Sequence, residues 1–411
     1  MPLLQILRPT LPLLIGASIM LTLSMGLRQS LGIFLQPLTQ DIHISVSDFT
    51  LALAVQNLAW GFLQPIAGAM TVRYGFRPIM VVVGSVFYIV GLALMASAQG
   101  LLSVMLGGGV LIGISLACTA AAIAMSVAAR AVPETVRSTV LGIVSAAGSL
   151  GALLSAPIGQ LLNESYGWRT GLVGFVVLSI AMLPAAWFAG KVDKIPLPPR
   201  GSDDIADTSA AVAVKVAFGN ASFVVMTLAY FVCGMQLVFL TTHLPSYLAI
   251  CGLDPMLSAQ TLGMIGGFNV LGSLFFGWAG GRWNKLALLG GIYVARSLVL
   301  AWYFMLPASP ATTLLFGALM GFLWMGVGPL VAGAVAEMFG LQWQAMIQGL
   351  AFMSHQLGSF LGAYGGGLLY DSLGSYTMAW RIGVALGLAG GIVQIAFALI
   401  RPTQPPLAAA A

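Results

Sequence analysis

Twelve long apolar segments run through this chain, and their length limits what it can fold into. Reading the apolar runs between polar breaks places them at residues 11–38, 46–71, 78–98, 101–129, 138–162, 168–189, 218–249, 257–281, 285–306, 310–337, 343–370 and 378–400. A helix needs about 20 apolar residues to cross the bilayer core, whereas a barrel strand needs only about 10. Because backbone groups in lipid must hydrogen-bond internally, we predict an all-α membrane protein with twelve transmembrane helices.

The composition of the 411 residues supports this interpretation. Only 7% of them are charged and 59% are hydrophobic, whereas about a quarter of the residues in a soluble domain are charged. The net charge of +5 does not indicate nucleic-acid binding, because the basic residues sit at the ends of the apolar segments. Cys118, Cys233 and Cys251 have unrelated spacings, so we predict no disulfide framework and no metal site.

The longest polar interruption divides the chain into two sets of six apolar segments. It lies between Lys191 and Lys215 and contains IPLPPRGSDDIADTS, whose proline, aspartate and serine content is typical of a flexible linker. We therefore predict a six-helix bundle over residues 1–190, a cytoplasmic linker over residues 191–217 and a second six-helix bundle over residues 218–411.

The two halves of the chain resemble each other. Gly109 and Gly113 match Gly317 and Gly321 at an offset of 208 residues, and the sequences LLNES and LLYDS are each followed by a Trp-Arg pair. Several matches at a nearly constant offset indicate a duplicated six-helix unit. Internal repeats of this kind are an architecture of secondary transporters. We therefore expect two pseudo-symmetric bundles.

The charged residues predict the orientation of the chain in the membrane. With the N-terminus in the cytoplasm, 12 of the 16 Lys and Arg residues fall on the cytoplasmic side, and only Arg169 and Arg381 fall outside. This bias follows the positive-inside rule and predicts cytoplasmic termini in an inner (plasma) membrane. All 11 acidic residues fall in loops, whereas Arg28 and Arg296 lie within apolar segments.

The chain resembles the major facilitator superfamily over essentially its whole length. The clearest local match is GAMTVRYGFRP, Gly68 to Pro78, which is similar to the superfamily's loop motif, although Val72 stands where that motif usually has an acid. RQSLGIFLQPL from Arg28 and YGWRTGL from Tyr166 resemble the branch that contains monocarboxylate transporters and oxalate/formate exchangers. The resemblance implies two six-helix bundles that work by alternating access, with the first helix of each half lining the cavity.

The eighth apolar segment departs from that branch. Eukaryotic members carry an Asp and an Arg one helical turn apart there, whereas this chain reads GGFNVLGSLFFGWAGG. The resemblance therefore does not imply their mechanism of proton symport.

Arg28 is the leading candidate for a substrate-binding residue. It lies about 17 residues into the first segment, near the middle of the bilayer at about 1.5 Å per residue. A charge at that depth costs roughly 2.5–3.5 kcal/mol on insertion scales, and a guanidinium can hold a carboxylate through two parallel hydrogen bonds. The alternative is an arginine that bonds to carbonyls and polar side chains and holds helices together.

Further substrate-binding candidates are polar residues within apolar segments, namely Gln56, Asn57, Gln236, His243, Arg296 and His355. Gln236 is the repeat partner of Arg28 at an offset of 208 residues. Either histidine can titrate and carry a proton, or remain neutral and bonded between helices. Gln56 and Asn57 can donate to an anion or bridge helices. Arg296 lies in a segment that the resemblance implies is peripheral, and it is either a ligand or a structural residue.

Together these features predict a secondary transporter that moves a small mono- or dicarboxylate. Two arginines and no acid within the membrane indicate an anionic substrate, coupled either to protons or to a counter-anion. The alternative is an exporter of drug-like, neutral or anionic compounds on the same fold. The short loops leave no room for a catalytic domain, so we expect no enzyme activity. We also expect a monomer in the lipid bilayer, with no cofactor, metal or nucleic acid.

Overall fold

A computed structural model of the chain describes residues 3–197 and 208–400. Within these ranges the regular structure is entirely helical, with no strand. Twelve long helical segments follow the twelve apolar runs, and each begins and ends within five residues of its predicted position. The prediction of an all-α, twelve-helix membrane protein is therefore confirmed.

The twelve segments are named α1 to α12 in chain order. Their bounds are Leu11–Asp41, Val46–Tyr74, Phe76–Ala96, Leu101–Ala131, Glu134–Tyr166, Trp168–Lys194, Ala221–Ile250, Pro255–Ala279, Lys285–Met305, Pro310–Phe339, Gln344–Leu373 and Thr377–Ile400. Ten of these segments are long and apolar enough to cross a membrane. The other two, α2 and α11, have 29 and 30 residues and carry more polar side chains.

The chain forms two compact units. Of the described residues, the first unit contains residues 3–197 with Leu341–Gly349, and the second contains residues 208–340 with residues 350–400. In the first unit α1 packs against α5, α2 against α4 and α3 against α6. In the second unit α8 packs against α10 and α9 against α12, so the helix pairs of the first unit recur at equivalent places.

Close helix contacts at glycine also recur in the two units. A Cβ added to Gly26 of α1 would lie 2.5 Å from the carbonyl oxygen of Gly151 and 2.5 Å from Ser155 Oγ. A Cβ added to Gly234 of α7 would overlap the carbonyl oxygen of His355 and lie 2.9 Å from Ser359 Oγ. Gly26 and Gly234 are repeat partners, so each marks a place where two backbones touch, as small residues permit in membrane helices.

Interruptions of α4 and α10 add a further element to the repeat. In α4 the helix stops at Thr119 and resumes at Ala121, with Ala120 at φ −77° and ψ −166° between them. In α10 the helix stops at Trp324 and resumes at Val327. The middle of a membrane helix is therefore irregular at nearly matching positions of the two halves.

Polar contacts gather at the two ends of the first unit. At one end Arg169 Nη2 lies 3.2 Å from Asp41 Oδ2. At the other end Asp193 accepts hydrogen bonds from the backbone N–H groups of Phe76, at 2.8 Å, and Arg77, at 3.0 Å. Asp193 thereby binds two of the N–H groups that have no partner within α3 itself.

Helical structure extends into both ends of the predicted linker, residues 191–217. The beginning of this linker belongs to the 3₁₀ turn Gly190–Lys194, which ends α6. Its end belongs to a separate helix, Ala210–Gly219, which begins with Ser209 Oγ accepting from a backbone N–H. Residues 198–207 of the predicted linker lie outside the described residues.

Candidate functional site

Arg28 lies where α1 changes its helix type. The α-helix ends at Gln29, a 3₁₀ turn covers Ser30–Phe34, and an α-helix resumes at Leu35. Ser30 Oγ donates to the carbonyl oxygen of Gly26 at 2.9 Å and binds a backbone group at this change. A short 3₁₀ stretch within a longer helix often marks a functional point, and here it directly follows the only arginine of α1.

Two residues of α2 hold the Arg28 guanidinium. Nη2 of Arg28 donates a hydrogen bond to Oδ1 of Asn57, and the guanidinium carbon lies 5.0 Å from the centroid of the Trp60 ring. Within the described ranges Nε of Arg28 has no hydrogen-bond partner and no carboxylate pairs with the guanidinium. The charge is thus oriented by an amide and an aromatic face without being neutralised, an arrangement that suits an anionic ligand.

Gln56 and Gln64 connect α2 to the irregular parts of α4. Gln56 Nε2 donates to the carbonyl oxygen of Gly108 at 2.6 Å, within a π-helical stretch. Gln64 Nε2 donates to the carbonyl oxygen of Ala117 at 2.8 Å, just before the interruption at Ala120. Carbonyls at helix irregularities within a membrane need such partners. Gln56, predicted as a possible ligand, therefore bridges two helices in this structure.

Gln64 is a site residue that the sequence analysis did not single out. Its Oε1 accepts a hydrogen bond from Trp60 Nε1 at 2.9 Å, so one buried amide orients Trp60 and also binds α4. Gln56, Trp60 and Gln64 are spaced by four residues and therefore share one face of the helix. That spacing of polar and aromatic residues was the signal available in the sequence.

We expect the substitution Gln64→Met to destabilise the protein by about 1–3 kcal/mol, because it leaves the Ala117 carbonyl and the Trp60 indole without this partner. The thermal unfolding midpoint of purified protein in detergent measures the effect. Gln160→Met is the matched control, since the Gln160 amide makes its hydrogen bond to Glu164 at an exposed position. Equal midpoints for the two variants would contradict the assignment.

Arg296 and Gln236 form a buried pair in the second unit. Arg296 of α9 is fully buried and donates from Nε at 3.3 Å and from Nη2 at 3.2 Å to Oε1 of Gln236 in α7. Gln236 Nε2 donates to Ser297 Oγ at 2.9 Å and to the carbonyl oxygen of Gly383 at 2.8 Å. Both ends of the Gln236 amide are therefore occupied by protein partners, and contact of Gln236 with the substrate stays a prediction.

His243 links three parts of the second unit. Its Nε2 lies 2.8 Å from the carbonyl oxygen of Ala363 in α11, and its Nδ1 lies 3.3 Å from the hydroxyl of Tyr376, next to the start of α12. A carbonyl can only accept, so Nε2 carries the proton and Nδ1 accepts from Tyr376 when the ring is neutral. This arrangement matches the bonded alternative for His243.

His355 of α11 lies among aromatic rings. Its ring centroid is 4.6 Å from that of Tyr230 and 5.6 Å from that of Phe352. Ser359 Oγ lies 3.5 Å from Nδ1 and donates to the backbone carbonyl of His355 at 2.9 Å. The structure thus brings Arg28 together with Asn57, whereas each of the two histidines has its own set of partners.

Comparison with known proteins settles the family. Residues 17–363 match the sequence model described as the Major Facilitator Superfamily. The chain belongs to this superfamily. It is therefore a multi-pass membrane transporter that carries a small-molecule substrate, and it is not an enzyme.

Relatives from very different organisms are similar along most of the chain. Human monocarboxylate transporter 11 is 27% identical over 397 residues, which cover 93% of this chain and 82% of the relative. The MFS-type transporter YcxA of Bacillus subtilis is 24% identical over 400 residues, covering 90% of this chain and 91% of the relative. The predicted resemblance to monocarboxylate transporters is confirmed by these matches.

Solved structures of the superfamily show the same fold. The fucose:proton symporter FucP of E. coli superposes with a TM-score of 0.73 at 16% identity, covering 95% of this chain and 98% of that structure. The human organic anion transporter MFSD10 superposes with a TM-score of 0.69 at 14% identity, covering 96% of this chain and 100% of that structure. At such identities the likeness concerns the fold alone.

Proposed function

We propose that this superfamily member moves a small organic anion, a mono- or dicarboxylate, across the inner membrane by alternating access. Arg28 carries the proposal, because its guanidinium is oriented by Asn57 and Trp60 and pairs with no carboxylate of the described residues. The substrate's own carboxylate would supply the missing negative charge. Cytoplasmic termini and a monomeric carrier belong to the same proposal.

The geometry around Arg28 suits recognition of a carboxylate. Asn57 accepts from Nη2, which leaves Nε, a buried donor without a partner among the described residues, for an incoming oxygen. Hydrogen bonds between ionised groups are about twice as strong as neutral ones. The guanidinium carbon lies over the Trp60 ring, 5.0 Å from its centroid, so a carboxylate would approach the guanidinium away from this ring.

The names of similar proteins agree with this substrate class. Human monocarboxylate transporter 11 is a relative over 93% of the chain, and the human structure MFSD10 is titled an organic anion transporter. Monocarboxylates and organic anions share the negative charge that Arg28 would bind. The alternative from the sequence, an exporter of drug-like, neutral or anionic compounds, would supply a partner for the unneutralised guanidinium only when its substrate is an anion.

The proposed coupling is proton co-transport or exchange for a counter-anion. His243 has both ring nitrogens within hydrogen-bonding distance of Ala363 and Tyr376, and His355 Nδ1 lies 3.5 Å from Ser359 Oγ. Either histidine would therefore exchange a partner in order to carry a proton. In the exchange mode, a second anion would neutralise Arg28 on the return step. Either mode keeps the Arg28 charge paired in the loaded states, which offsets the cost of its burial.

Transport in proteoliposomes tests the proposal. We expect purified protein to take up radiolabelled acetate, lactate or succinate but not the corresponding uncharged amides. Imposing an inward proton gradient, or loading the vesicles with a trapped carboxylate, separates co-transport from exchange. Uptake of amides or cations with no carboxylate flux would contradict the anion proposal and favour the exporter.

A further inference from the structure

A second arginine is buried in the second unit, and one of its nitrogen donors has no hydrogen-bond partner among the described residues. Arg296 and Tyr293 of α9 are 0% and 2% exposed. Among the described residues, Nη1 of Arg296 and the hydroxyl of Tyr293 have no hydrogen-bond partner. The two residues are three positions apart and so share one face of the helix, and the guanidinium carbon lies 5.4 Å from the Tyr293 ring centroid.

The charge of Arg296 is not balanced by the side chains that face it. Gln236 supplies a neutral amide oxygen. Among the described residues, the titratable groups that interact electrostatically with Arg296 are Tyr230 and Cys233 of α7, Tyr293 of α9 and His355 of α11. The Cys233 thiol also hydrogen-bonds to Arg296, and none of the four groups is a carboxylate. An arginine remains protonated in a protein, and a buried charge without a partner is strongly destabilising. A negative ion at this place would restore the balance.

We infer that the second unit binds a small monovalent anion of halide size between Arg296 Nη1 and the Tyr293 hydroxyl. Gln236 occupies the Nε–Nη2 edge of the guanidinium, which is one of the edges where a carboxylate binds with two parallel hydrogen bonds. The Nη1 nitrogen and the Tyr293 hydroxyl are the buried atoms here that have no partner among the described residues. A monatomic anion such as chloride can use donors that come from separate groups, whereas a carboxylate needs a matched fork.

A cavity beside Gln236 offers an approach to this site. It has a volume of about 160 Å³ and is lined by α7, α9, α11 and α12, including Gln236, Leu300, Gly366 and Gly383. Gln236 contributes to the cavity wall and binds Arg296 at the same time. An anion that enters from this cavity would pass Gln236 to reach the guanidinium, and rotation of the Gln236 amide would exchange its hydrogen bonds to Ser297 and Gly383.

Binding of radiolabelled chloride to the purified full-length protein tests the inference. We expect saturable binding of one chloride per chain, measured at constant ionic strength with gluconate as the replacing anion. Arg296→Gln should abolish the binding. Tyr293→Phe should weaken it about tenfold, because a hydrogen bond to a charged group is lost. Tyr303→Phe is the matched control on the same helix, since that hydroxyl bonds to Thr313 at 2.9 Å, and it should bind chloride normally.

The site lies in the second unit, whereas Arg28 lies in the first. Arg28→Ala should therefore bind chloride as the wild type does, even where carboxylate transport is lost. Absence of saturable chloride binding to the wild type, or equal binding by Tyr293→Phe and the wild type, would overturn the inference. Because Tyr293→Phe removes a single oxygen, it remains decisive if Arg296→Gln fails to fold.

Discussion

Replacing Arg28 with alanine is expected to reduce carboxylate transport about 100-fold or more. Removing one partner of a desolvated, hydrogen-bonded charge pair costs 2–5 kcal/mol or more, and each 1.4 kcal/mol corresponds to about a factor of ten. The loss should fall on both the apparent affinity and the maximal rate, because Arg28 would hold the substrate throughout the cycle. Initial uptake rates in proteoliposomes, over a range of carboxylate concentrations, measure the effect.

Two further variants serve as comparisons for Arg28→Ala. Arg28→Lys keeps the charge but loses the planar fork that Asn57 and Trp60 orient, so we expect an intermediate loss of about tenfold. Arg169→Ala removes an arginine whose ion pair with Asp41 is solvent-exposed, and we expect near-normal transport from it. If Arg28→Ala transports carboxylates at the wild-type rate, Arg28 is a structural residue and not the anchor.

The second large effect is expected from Gly358→Val in α11, which should prevent the second unit from folding. A Cβ at this position would overlap the carbonyl oxygen of Phe231 and lie 2.8 Å from its carbonyl carbon. Overpacking usually costs 1–3 kcal/mol, and here the helix backbones themselves must separate, so we expect the loss to exceed about 3 kcal/mol. The yield of monodisperse protein in size-exclusion chromatography measures it.

Gly365→Val, on the same helix, is the control for Gly358→Val. A Cβ built at Gly365 has no atom within 4 Å, apart from its chain neighbours and the backbone of its own helix turn. The change in helix propensity is the same at both positions. We therefore expect Gly365→Val to be produced as a monodisperse protein. Wild-type yield and unfolding midpoint for Gly358→Val would show that α7 and α11 do not pack through this glycine.

The fold could be predicted from the sequence because lipid restricts the possibilities so strongly. An apolar run of about 20 residues has few alternatives to a membrane helix, and the runs therefore located all twelve segments. Gly26 and Gly234 are separated by the same 208 residues as other repeated positions, so the sequence could identify them as repeat partners. In the structure they make equivalent backbone contacts in the two units. The Ala210–Gly219 helix was missed because it follows a polar stretch, and the predicted linker included most of its residues together with that stretch.

The candidate site was predictable only in part. Arg28 and Arg296 could be found because a charge within an apolar segment is conspicuous. Their partners could not, since the contact of Arg296 with Gln236 joins residues 60 positions apart and depends on how α7 and α9 rotate against each other. The repeat predicts that Gln236 corresponds to Arg28 in role, whereas its hydrogen bonds to Arg296 and Ser297 of α9 could not be read from the repeat.

The carboxylate that binds the start of α3 comes from far along the chain. Asp193, at the end of α6, is 117 residues from Phe76, and Gly75, at φ 85°, brings the backbone close to it. The composition of the chain predicts that the first bundle ends at residue 190. A first half expressed as a separate fragment ending there would lack the Asp193 carboxylate. For a split transporter reassembled from two polypeptides, the first fragment should therefore extend beyond Lys194.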